Sequence, residues 1–319
     1  MCGNKNRIME EIGVFAGIPG ITPLTIADEA LFRSLVRSFR SPDNLNFEDS
    51  WAYIMQATRV CPAKFHSGDF FAALTVKQDH SAIVIPNYFS PFFKLVEEFA
   101  ALLARTIQLP IILKNVGTED VPALTAIGFE PYRKDERWDE SSKYDDQTFP
   151  QTIIDLNSVV SAFGRKFEDL RRELRCPKLS CRDYNIYFDY GDVERLLLRK
   201  DVRMNGLAYD AEIRFLEMDS SLNTVALIFF LEGKPVGFSL SDRISEKCIA
   251  FNSIIRDYSI PGLFTRLAYA TAKVAKERGY RFGNLQGAEN EGLHRWKRKF
   301  RPCKEIQKTH LIYRQCTQS

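Results

Sequence analysis

The sequence lacks the residue patterns of several common functional sites. Its seven cysteines are odd in number and show no paired Cys-X-X-Cys spacing, and its four histidines include no His-Glu-X-X-His motif. These absences argue against a zinc site and against a disulfide framework, so we expect no metal. The longest fully apolar run, Val225 to Leu231, is far shorter than the roughly 20 residues that a membrane-spanning helix requires.

A secretory signal is also missing, because Glu10 and Glu11 precede only a brief apolar stretch near the N-terminus. We therefore expect a cytoplasmic protein without a transmembrane segment. The chain does have enough apolar material for a real core, since 45% of its 319 residues are hydrophobic. Its length suggests one large or two ordinary domains.

The net charge of +3 is too small to indicate nucleic-acid binding, but the positive residues are concentrated in two segments. The first segment contains Arg165, Lys166, Arg171, Arg172 and Arg175, and the second contains Arg295, Lys297, Arg298, Lys299, Arg301, Lys304 and Lys308. Each segment alone is typical of a solvated helix face. Two of them in a chain of low net charge favour a polyanionic partner.

Periodicity and turn residues predict a clear order of elements in the second half. The order is a strand (Tyr184 to Tyr190), two helices (Asp192 to Met204 and Asp210 to Met218), three strands (Thr224 to Leu231, Val236 to Ser241 and Cys248 to Ile254), a helix (Pro261 to Gly279), a strand (Tyr280 to Leu285), a basic helix from about Asn290 and a closing strand (Glu305 to Tyr313).

The first half repeats part of that order. It contains a predicted hairpin (Phe70 to Val76 with Ser81 to Pro86), a helix (Pro91 to Thr106), a strand (Leu109 to Lys114), a short helix (Glu119 to Ile127) and the start of a strand (Phe129 to Arg133). The repetition is one of topology and not of sequence. The stretch from Lys134 to Pro150 is poor in aliphatic residues, and we expect two domains at 20–150 and 151–319.

Polar residues crowd the junction between the last predicted helix and the strand before it. They are Asn284, Gln286, Glu289, Asn290 and Glu291. Polar groups that converge at the end of a strand suit the binding of a small polar substrate. The other interpretation is a loop that only caps its own helix, with Asn290 as N-cap and Glu291 in the first turn.

One cation of the basic helix lies where an apolar residue is expected. At about 100° per residue, Leu293, Trp296 and Phe300 share one stripe, and Lys297 falls inside it. The other cations of this helix point away from the stripe. Lys297 must therefore either snorkel along its neighbours to solvent or occupy a pocket.

The order of elements in the second half is that of the GNAT acyltransferase fold. The tandem arrangement, with a degenerate first copy, resembles the GNAT-like pair in the catalytic region of phosphatidylglycerol lysyltransferases and their soluble relatives, a family once labelled a domain of unknown function. The most specific segments are Phe163 to Arg175 and Asn284 to Pro302. The second resembles an acidic, glycine-containing loop followed by Gly-Leu-X-X-X-Lys and Phe-X-Pro, here Gly292, Leu293, Lys297, Phe300 and Pro302.

The resemblance extends from about Ile21 to Tyr313 and implies an α+β fold of tandem GNAT-like domains, with mixed sheets flanked by helices and a catalytic second domain. Members of the family transfer an aminoacyl group from charged tRNA to an amine or hydroxyl. The resemblance therefore implies a soluble aminoacyltransferase with aminoacyl-tRNA as donor and a small molecule, peptide or lipid headgroup as acceptor. The lipid-modifying members carry a large membrane domain that this sequence lacks, which argues against a phospholipid acceptor.

The sequence also argues weakly against coenzyme A, so we expect no cofactor. GNAT enzymes that use acetyl-CoA place glycine-rich backbone amides before the long helix, where they bind the pyrophosphate. The corresponding stretch here, Arg256 to Leu263, contains Pro261, which has no N–H, and a single glycine, Gly262. Two alternatives remain: an acyl-CoA-dependent N-acyltransferase with a degenerate pyrophosphate loop, and a non-catalytic binding module.

Candidate roles follow from the resemblance and from the chemistry of the side chains. Lys297, or amides from the region of Asn284 and Gln286, are candidates to stabilise the oxyanion. Glu289 or Glu291 is a candidate to bind the donor's α-ammonium or to accept the acceptor's proton. Trp296 either stacks on the terminal adenine or packs in the core. The substrate-binding candidates are Asn284, Gln286, Asn290, Arg295, Trp296 and Arg301, and the tRNA-binding candidates are Arg171, Arg172, Arg298 and Lys299.

Overall fold

A computed structural model describes residues 15, 17–58, 62–68, 70–76, 82–88, 93–107, 110–132, 149–175, 179–201, 224–288 and 290–313. The chain divides into two compact units, each with its own sheet. The first unit contains residues 1–40, 57–139 and 307–319, and the second contains residues 41–56 and 140–306.

The first unit is a mixed sheet with helices. In chain order its elements are β1 (Ile21–Pro23), α1 (Glu29–Phe39), β2 (Ala63–Ser67), β3 (Phe70–Val76), β4 (Ala82–Tyr88), α3 (Phe93–Ile107), β5 (Ile111–Gly117), α4 (Val121–Ala126), β6 (Phe129–Pro131) and β14 (Lys308–Tyr313). Helix α2 (Trp51–Ala57) follows α1 in sequence, but its residues 51–56 belong to the second unit. The strand order is β1-β2-β3-β4-β5-β14-β6, and only β4 and β5 are parallel neighbours among these strands.

The core of the first unit forms where the apolar face of α3 meets the sheet. Phe99 and Leu103 of the helix pack in one cluster with Phe70 and Leu74 of β3 and with Leu311 of β14. The hairpin, helix, strand, helix and strand predicted for this half are confirmed, although residues 77–80 of the hairpin turn lie outside the described residues.

The second unit repeats the arrangement around a second sheet. Its elements are β7 (Gln151–Asp155), α5 (Leu156–Ser161), α6 (Glu168–Leu174), β8 (Ser180–Asp183), α7 (Ile186–Asp201), β9 (Thr224–Leu231), β10 (Lys234–Arg243), β11 (Cys248–Arg256), α8 (Leu263–Glu277), β12 (Phe282–Asn284), α9 (Glu291–Arg298) and β13 (Lys304–Ile306). The strand order is β13-β7-β12-β11-β10-β9-β8, and β11 runs parallel to β12. Leu267 of α8 and Phe300 after α9 pack with Ile154 and Phe229 of the sheet.

The strand predicted from Tyr184 to Tyr190 is wrong, because most of this segment belongs to helix α7. Aromatic residues favour strands, but here local hydrogen bonds start a helix. The Asn185 side chain accepts the N–H of Tyr187 at 3.0 Å, and Asp189 accepts the N–H of Asn185 at 2.8 Å. The strand at this edge is β8, a few residues earlier. The helix predicted from Asp210 to Met218 lies outside the described residues.

The closing strand predicted from Glu305 to Tyr313 is two strands in two different sheets. β13 pairs with β7 in the second sheet, whereas β14 lies between β5 and β6 in the first. Residues 41–56, from the first half of the chain, belong in return to the second unit. The observed units therefore differ from the ranges 20–150 and 151–319 by these two exchanged segments and by residues 140–150, which belong to the second unit.

Candidate functional site

The parallel strands β11 and β12 separate beside the polar loop. They pair only between residues 248–250 and 282–284, although β11 continues to Arg256. We call this place the strand fork, formed by residues 251–252 of β11 and residues 285–286 beyond β12. The chain leaves the fork through the loop and enters α9, so Asn284, Gln286, Asn290 and Glu291, the predicted polar residues that the structure describes, lie at or after the end of a strand.

The side chain of Asn284 stabilises the start of the loop through hydrogen bonds. Its side chain is fully buried, and its Nδ2 donates to the carbonyl oxygen of Leu45 at 2.7 Å and to Oε1 of Gln151 at 3.0 Å. Its Oδ1 accepts the N–H of Gln286 at 2.8 Å. These bonds hold the loop in place against residues of the second unit.

Lys297 does not reach solvent but lies under the polar loop. Only 4% of the residue is exposed, and Nζ donates to the carbonyl oxygen of Gln286 at 3.3 Å and to that of Gly287. Gln286 has a φ of 64°, a left-handed conformation that is uncommon for a residue with a side chain. The buried ammonium thus meets carbonyl dipoles of a sharply turned loop, and it does not snorkel to solvent, which was one of the two sequence interpretations.

The residues that open α9 make local contacts. The Asn290 side chain accepts the N–H of Leu293 at 2.9 Å and so acts as the N-cap. Glu291 pairs with Arg295 at 2.6 Å, but 72% and 74% of their side chains are exposed, so the pair contributes at most about 1 kcal/mol. Glu289, the other predicted carboxylate, lies outside the described residues.

Trp296 packs between helices. Its ring stacks on Phe264 with 4.2 Å between centroids, and its Nε1 donates to Oγ1 of Thr265 at 3.0 Å. Thr265 in turn donates to Glu173, which also accepts a hydrogen bond from Lys299. Trp296 and Lys299 therefore join α9 to α8 and α6.

The environment of Glu173 favours its charged form. Burial acts to raise its pKa, but the hydrogen bonds from Lys299 and Thr265 outweigh that effect, and the pKa lies below the usual range of a glutamate. The carboxylate is thus ionised at neutral pH and holds Lys299 in place.

The fold brings the two basic segments of the sequence together. The Nε of Arg301, just after α9, donates to the carbonyl oxygen of Lys166, and Lys299 pairs with Glu173 of α6. We call the exposed cations of this region, Arg165, Lys166, Arg172, Arg298 and Arg301, the basic surface. Of the four predicted tRNA-binding residues, Arg172 and Arg298 are exposed on it.

Arg171 has a different environment from its neighbour Arg172. Its Nη1 donates to the carbonyl oxygens of Ala162 and Gly164, at 2.7 Å each. Arg172 points to solvent and pairs at 3.0 Å with the exposed Asp169. The guanidinium of Arg171 therefore supports the loop before α6.

A buried polar network at the strand fork was missed by the sequence reasoning. A bulge in β11 makes Asn252 the extra residue between the pairs Ser241 with Phe251 and Leu240 with Ser253. Asn252 Nδ2 donates to Oγ of Ser50 at 3.1 Å, and that hydroxyl donates to Asp242 at 3.0 Å. Within the described part of the chain, Oδ1 of the buried Asn252 accepts no hydrogen bond.

The same network starts helix α2. Asp242 accepts the N–H of Ala52 at 3.1 Å, and Ser50 accepts that of Tyr53 at 3.2 Å. A carboxylate at a helix N-terminus is favourable because the unpaired N–H groups there carry partial positive charge. Ser50 directly before an apolar helical run was the available signal, but the sequence did not show which strand it contacts.

Membrane spans and metal clusters are both absent from the described ranges. No helix there is long and apolar enough to cross a membrane. No group of three or more histidine, cysteine or carboxylate side chains there could hold a metal ion.

No family model and no curated protein sequence matches this chain. Solved structures do resemble it. A conserved protein of unknown function from Bacteroides thetaiotaomicron aligns at 16% identity with a TM-score of 0.73, over 93% of this chain and 100% of that chain. The C-terminal domain (DUF2156) of an Agrobacterium fabrum protein named as a lysylphosphatidylglycerol synthetase aligns at 13% identity with a TM-score of 0.58, over 89% and 92%.

A tandem GNAT protein from the clavulanic acid biosynthesis pathway aligns at 12% identity with a TM-score of 0.52, over 92% of this chain and 97% of that chain. These identities are low, and the likeness is one of fold. The chain has an α+β fold of tandem GNAT-like units, as the sequence predicts, and its structural likeness to the lysyltransferase region is confirmed.

Proposed function

We propose that this protein is an acyltransferase that moves an aminoacyl group from aminoacyl-tRNA to an amine or hydroxyl acceptor. The observation that carries the proposal is the strand fork, where parallel strands separate beside a loop that the buried Lys297 holds. The fold likeness to a domain of a protein named as a lysylphosphatidylglycerol synthetase supports an aminoacyl group as the one transferred. The basic surface supports RNA as its carrier.

In the proposed reaction the acceptor nitrogen or oxygen forms a bond to the ester carbonyl carbon. The bond from that carbon to the ribose oxygen then breaks, the acceptor loses a proton and the ribose oxygen gains one. Because the ester is already activated, the protein has mainly to align the acceptor and to stabilise the oxyanion that forms on attack.

The loop and Lys297 supply the proposed donors to that oxyanion. Nζ of Lys297 can act directly. It can also act through the peptide between Gln286 and Gly287, because its hydrogen bond to the Gln286 carbonyl makes the N–H of Gly287 a stronger donor. Glu289 and Glu291 remain the proposed carboxylates for the α-ammonium or the acceptor's proton, and Asn284, Gln286, Asn290, Arg295, Trp296 and Arg301 remain the proposed substrate-binding residues.

The entrance to the long helix α8 supports a donor other than coenzyme A. The helix begins at Leu263, and the N–H of Leu263 already donates to the carbonyl oxygen of Ile260 at 3.4 Å. Pro261 has no N–H to offer. Residues 261 and 263 therefore offer no free backbone donor to a pyrophosphate at this helix N-terminus.

The deciding experiment incubates the protein with a pool of radiolabelled aminoacyl-tRNAs and a cell extract, and measures label that becomes resistant to ribonuclease. We expect transfer that depends on the protein and is lost when the tRNAs are deacylated first. A thermal-shift series with coenzyme A and with tRNA runs beside it. Stabilisation by coenzyme A alone would favour an acyl-CoA-dependent enzyme, and absence of transfer with every tRNA would favour a binding module.

A further inference from the structure

The loop between α5 and α6 displays one aromatic ring to solvent. Phe163 is 85% exposed, although its neighbour Ala162 is buried in the core of the second unit. Ala162 and Gly164 have φ values of 44° and 87°, so the chain is in left-handed conformations on both sides of the phenylalanine. For Ala162 this conformation is strained, and it persists only because the surroundings enforce it.

Hydrogen bonds hold this loop in a single conformation. Nη1 of Arg171 donates to the carbonyl oxygens on both sides of Phe163, those of Ala162 and Gly164, at 2.7 Å each. The N–H of Ala162 donates to Ser158 at 3.0 Å, and the N–H of Phe167 donates to Gly164 at 3.2 Å. The ring is thus attached to a braced backbone, and a ligand that contacts it has little loop entropy to overcome.

Positively charged residues follow the ring closely in sequence. Arg165 and Lys166 follow Phe163 almost directly and are exposed. Arg301 reaches the same stretch through its hydrogen bond to the Lys166 carbonyl. An exposed aromatic ring on the same loop as exposed cations matches single-stranded nucleic acid, whose bases stack on the ring while the phosphates meet the charges.

We propose that Phe163 stacks on an unpaired nucleobase of the RNA substrate, with Arg165, Lys166 and Arg301 on the flanking phosphates and Arg171 as the positioning residue of the loop. The inference rests on the proposed function, and it adds the residue that meets a base. An anionic lipid surface would also attract these cations. The loop presents only one ring, however, and exposed carboxylates follow at Glu168 and Asp169, whereas membrane-surface segments present a broad apolar face.

The test uses the full-length protein and deacylated tRNA. Phe163→Ala is expected to weaken binding about tenfold, in line with the loss of one stacked base, while Phe163→Tyr keeps the affinity. The dependence of binding on salt should be unchanged in Phe163→Ala, because no phosphate contact is lost, and should weaken in Lys166→Ala. Tyr187→Ala is the matched control, since Tyr187 is another aromatic residue of the second unit and is 90% exposed.

A spectroscopic readout separates stacking from other effects. In Phe163→Trp, tRNA should quench the added tryptophan fluorescence beyond the change seen in the wild type. Unchanged affinity of Phe163→Ala in a protein that still transfers label would overturn this inference and leave the proposed function standing. A wild type that binds no tRNA would overturn both. A blue shift of the added fluorescence in Phe163→Trp with phosphatidylglycerol vesicles, without quenching by tRNA, would assign the loop to a membrane and overturn the inference.

Discussion

The two sheets share one left-handed backbone position and differ in the chemistry around it. In the first sheet, β4 pairs with β5 through residues 82–84 and 111–113, and two residues further on Asn115 has a φ of 60°. In the second, β11 pairs with β12 through residues 248–250 and 282–284, and two residues further on Gln286 has a φ of 64°. Left-handed backbone is uncommon outside glycine, so its recurrence marks equivalent positions in the two units.

The surroundings of these two positions are different. In the first unit the next helix is α4, whose six residues, Val-Pro-Ala-Leu-Thr-Ala, include no cation, and the pairing of β3 with β4 shows no register shift. In the second unit the next helix is α9, which carries the buried Lys297, and the pairing of β10 with β11 contains the bulge at Asn252. The shared fold supplies the left-handed backbone position, whereas the side chains around it decide where chemistry is available.

The largest expected effect is that of Lys297→Met. Loss of an oxyanion donor, or of the cation that supports one, should lower single-turnover transfer from saturating aminoacyl-tRNA by roughly 10² to 10³. Methionine fills a similar volume, and thermal melting checks that the fold survives. Lys273→Met is the control, because the side chain of Lys273 on α8 is 59% exposed. Near-normal transfer in folded Lys297→Met protein would show that transfer does not depend on Lys297. The main chemical difference between the two units would then not explain activity.

Charge reversal tests whether RNA distinguishes the units. Arg172→Glu combined with Arg298→Glu should weaken tRNA binding and lower the slope of log affinity against log salt by about 2, roughly one for each lost phosphate contact. The matched control reverses two exposed arginines of the first unit, Arg37→Glu with Arg105→Glu. An equal loss of affinity in both double variants would show that only net charge matters, and not the basic surface.

A smaller effect is expected at the equivalent left-handed positions. Glycine adopts this conformation without steric cost, so Asn115→Gly and Gln286→Gly should both keep the fold. Only Gln286→Gly should lower kcat/KM, by up to about tenfold, the equivalent of one neutral hydrogen bond. A comparable loss of transfer in Asn115→Gly would mean that the first unit takes part in the reaction.

Much of this architecture could be predicted from local patterns. The apolar period gave the helices α3 and α8. The turn at Glu232 and Gly233, with φ values of 51° and 77°, lies between the two strands predicted from Thr224 to Leu231 and from Val236 to Ser241. Lys297 was detectable because a cation in an apolar stripe is an anomaly. At the segment from Tyr184 to Tyr190 the same method failed, since aromatic content outweighed the capping signal of Asn185.

The contacts that complete the candidate site could not be predicted from such local patterns. Asn284 and Leu45 are 239 residues apart in the chain, and Ser50 and Asn252 are 202 apart. Partners at such distances are chosen by tertiary packing, for which a single sequence holds no local signal. The bulge at Asn252 is equally invisible, because it depends on the register of two strands.

The last comparison concerns stability in acid. Here we expect no difference between the two units. In the first unit, burial acts to raise the pKa of Asp28, but hydrogen bonds from Lys64 and Thr25 bring that pKa below the usual range. In the second unit, burial acts to raise the pKa of Glu173, and hydrogen bonds from Lys299 and Thr265 lower it in the same way. A lowered folded-state pKa contributes stability that is present above the unfolded value, about 3.9 for aspartate and 4.3 for glutamate, and is lost as pH falls through the folded value.

Asp28→Asn and Glu173→Gln should therefore each destabilise the protein at neutral pH by about 1 to 2 kcal/mol and flatten the loss of stability below about pH 4. Urea denaturation at a series of pH values measures both quantities. An acid profile identical to that of the wild type in either variant would contradict the ion-pair assignment for that unit.

The exchange of segments has a consequence for how this protein is made. The strand β14 lies between β5 and β6, so the first sheet stays divided until residues 308–313 have left the ribosome. The first sheet therefore stays incomplete through synthesis of the whole second unit, and folding of one domain after the other during translation cannot complete it. A fragment cut between the two halves would for the same reason lack an interior strand of the first sheet, and its exposed edges would invite aggregation.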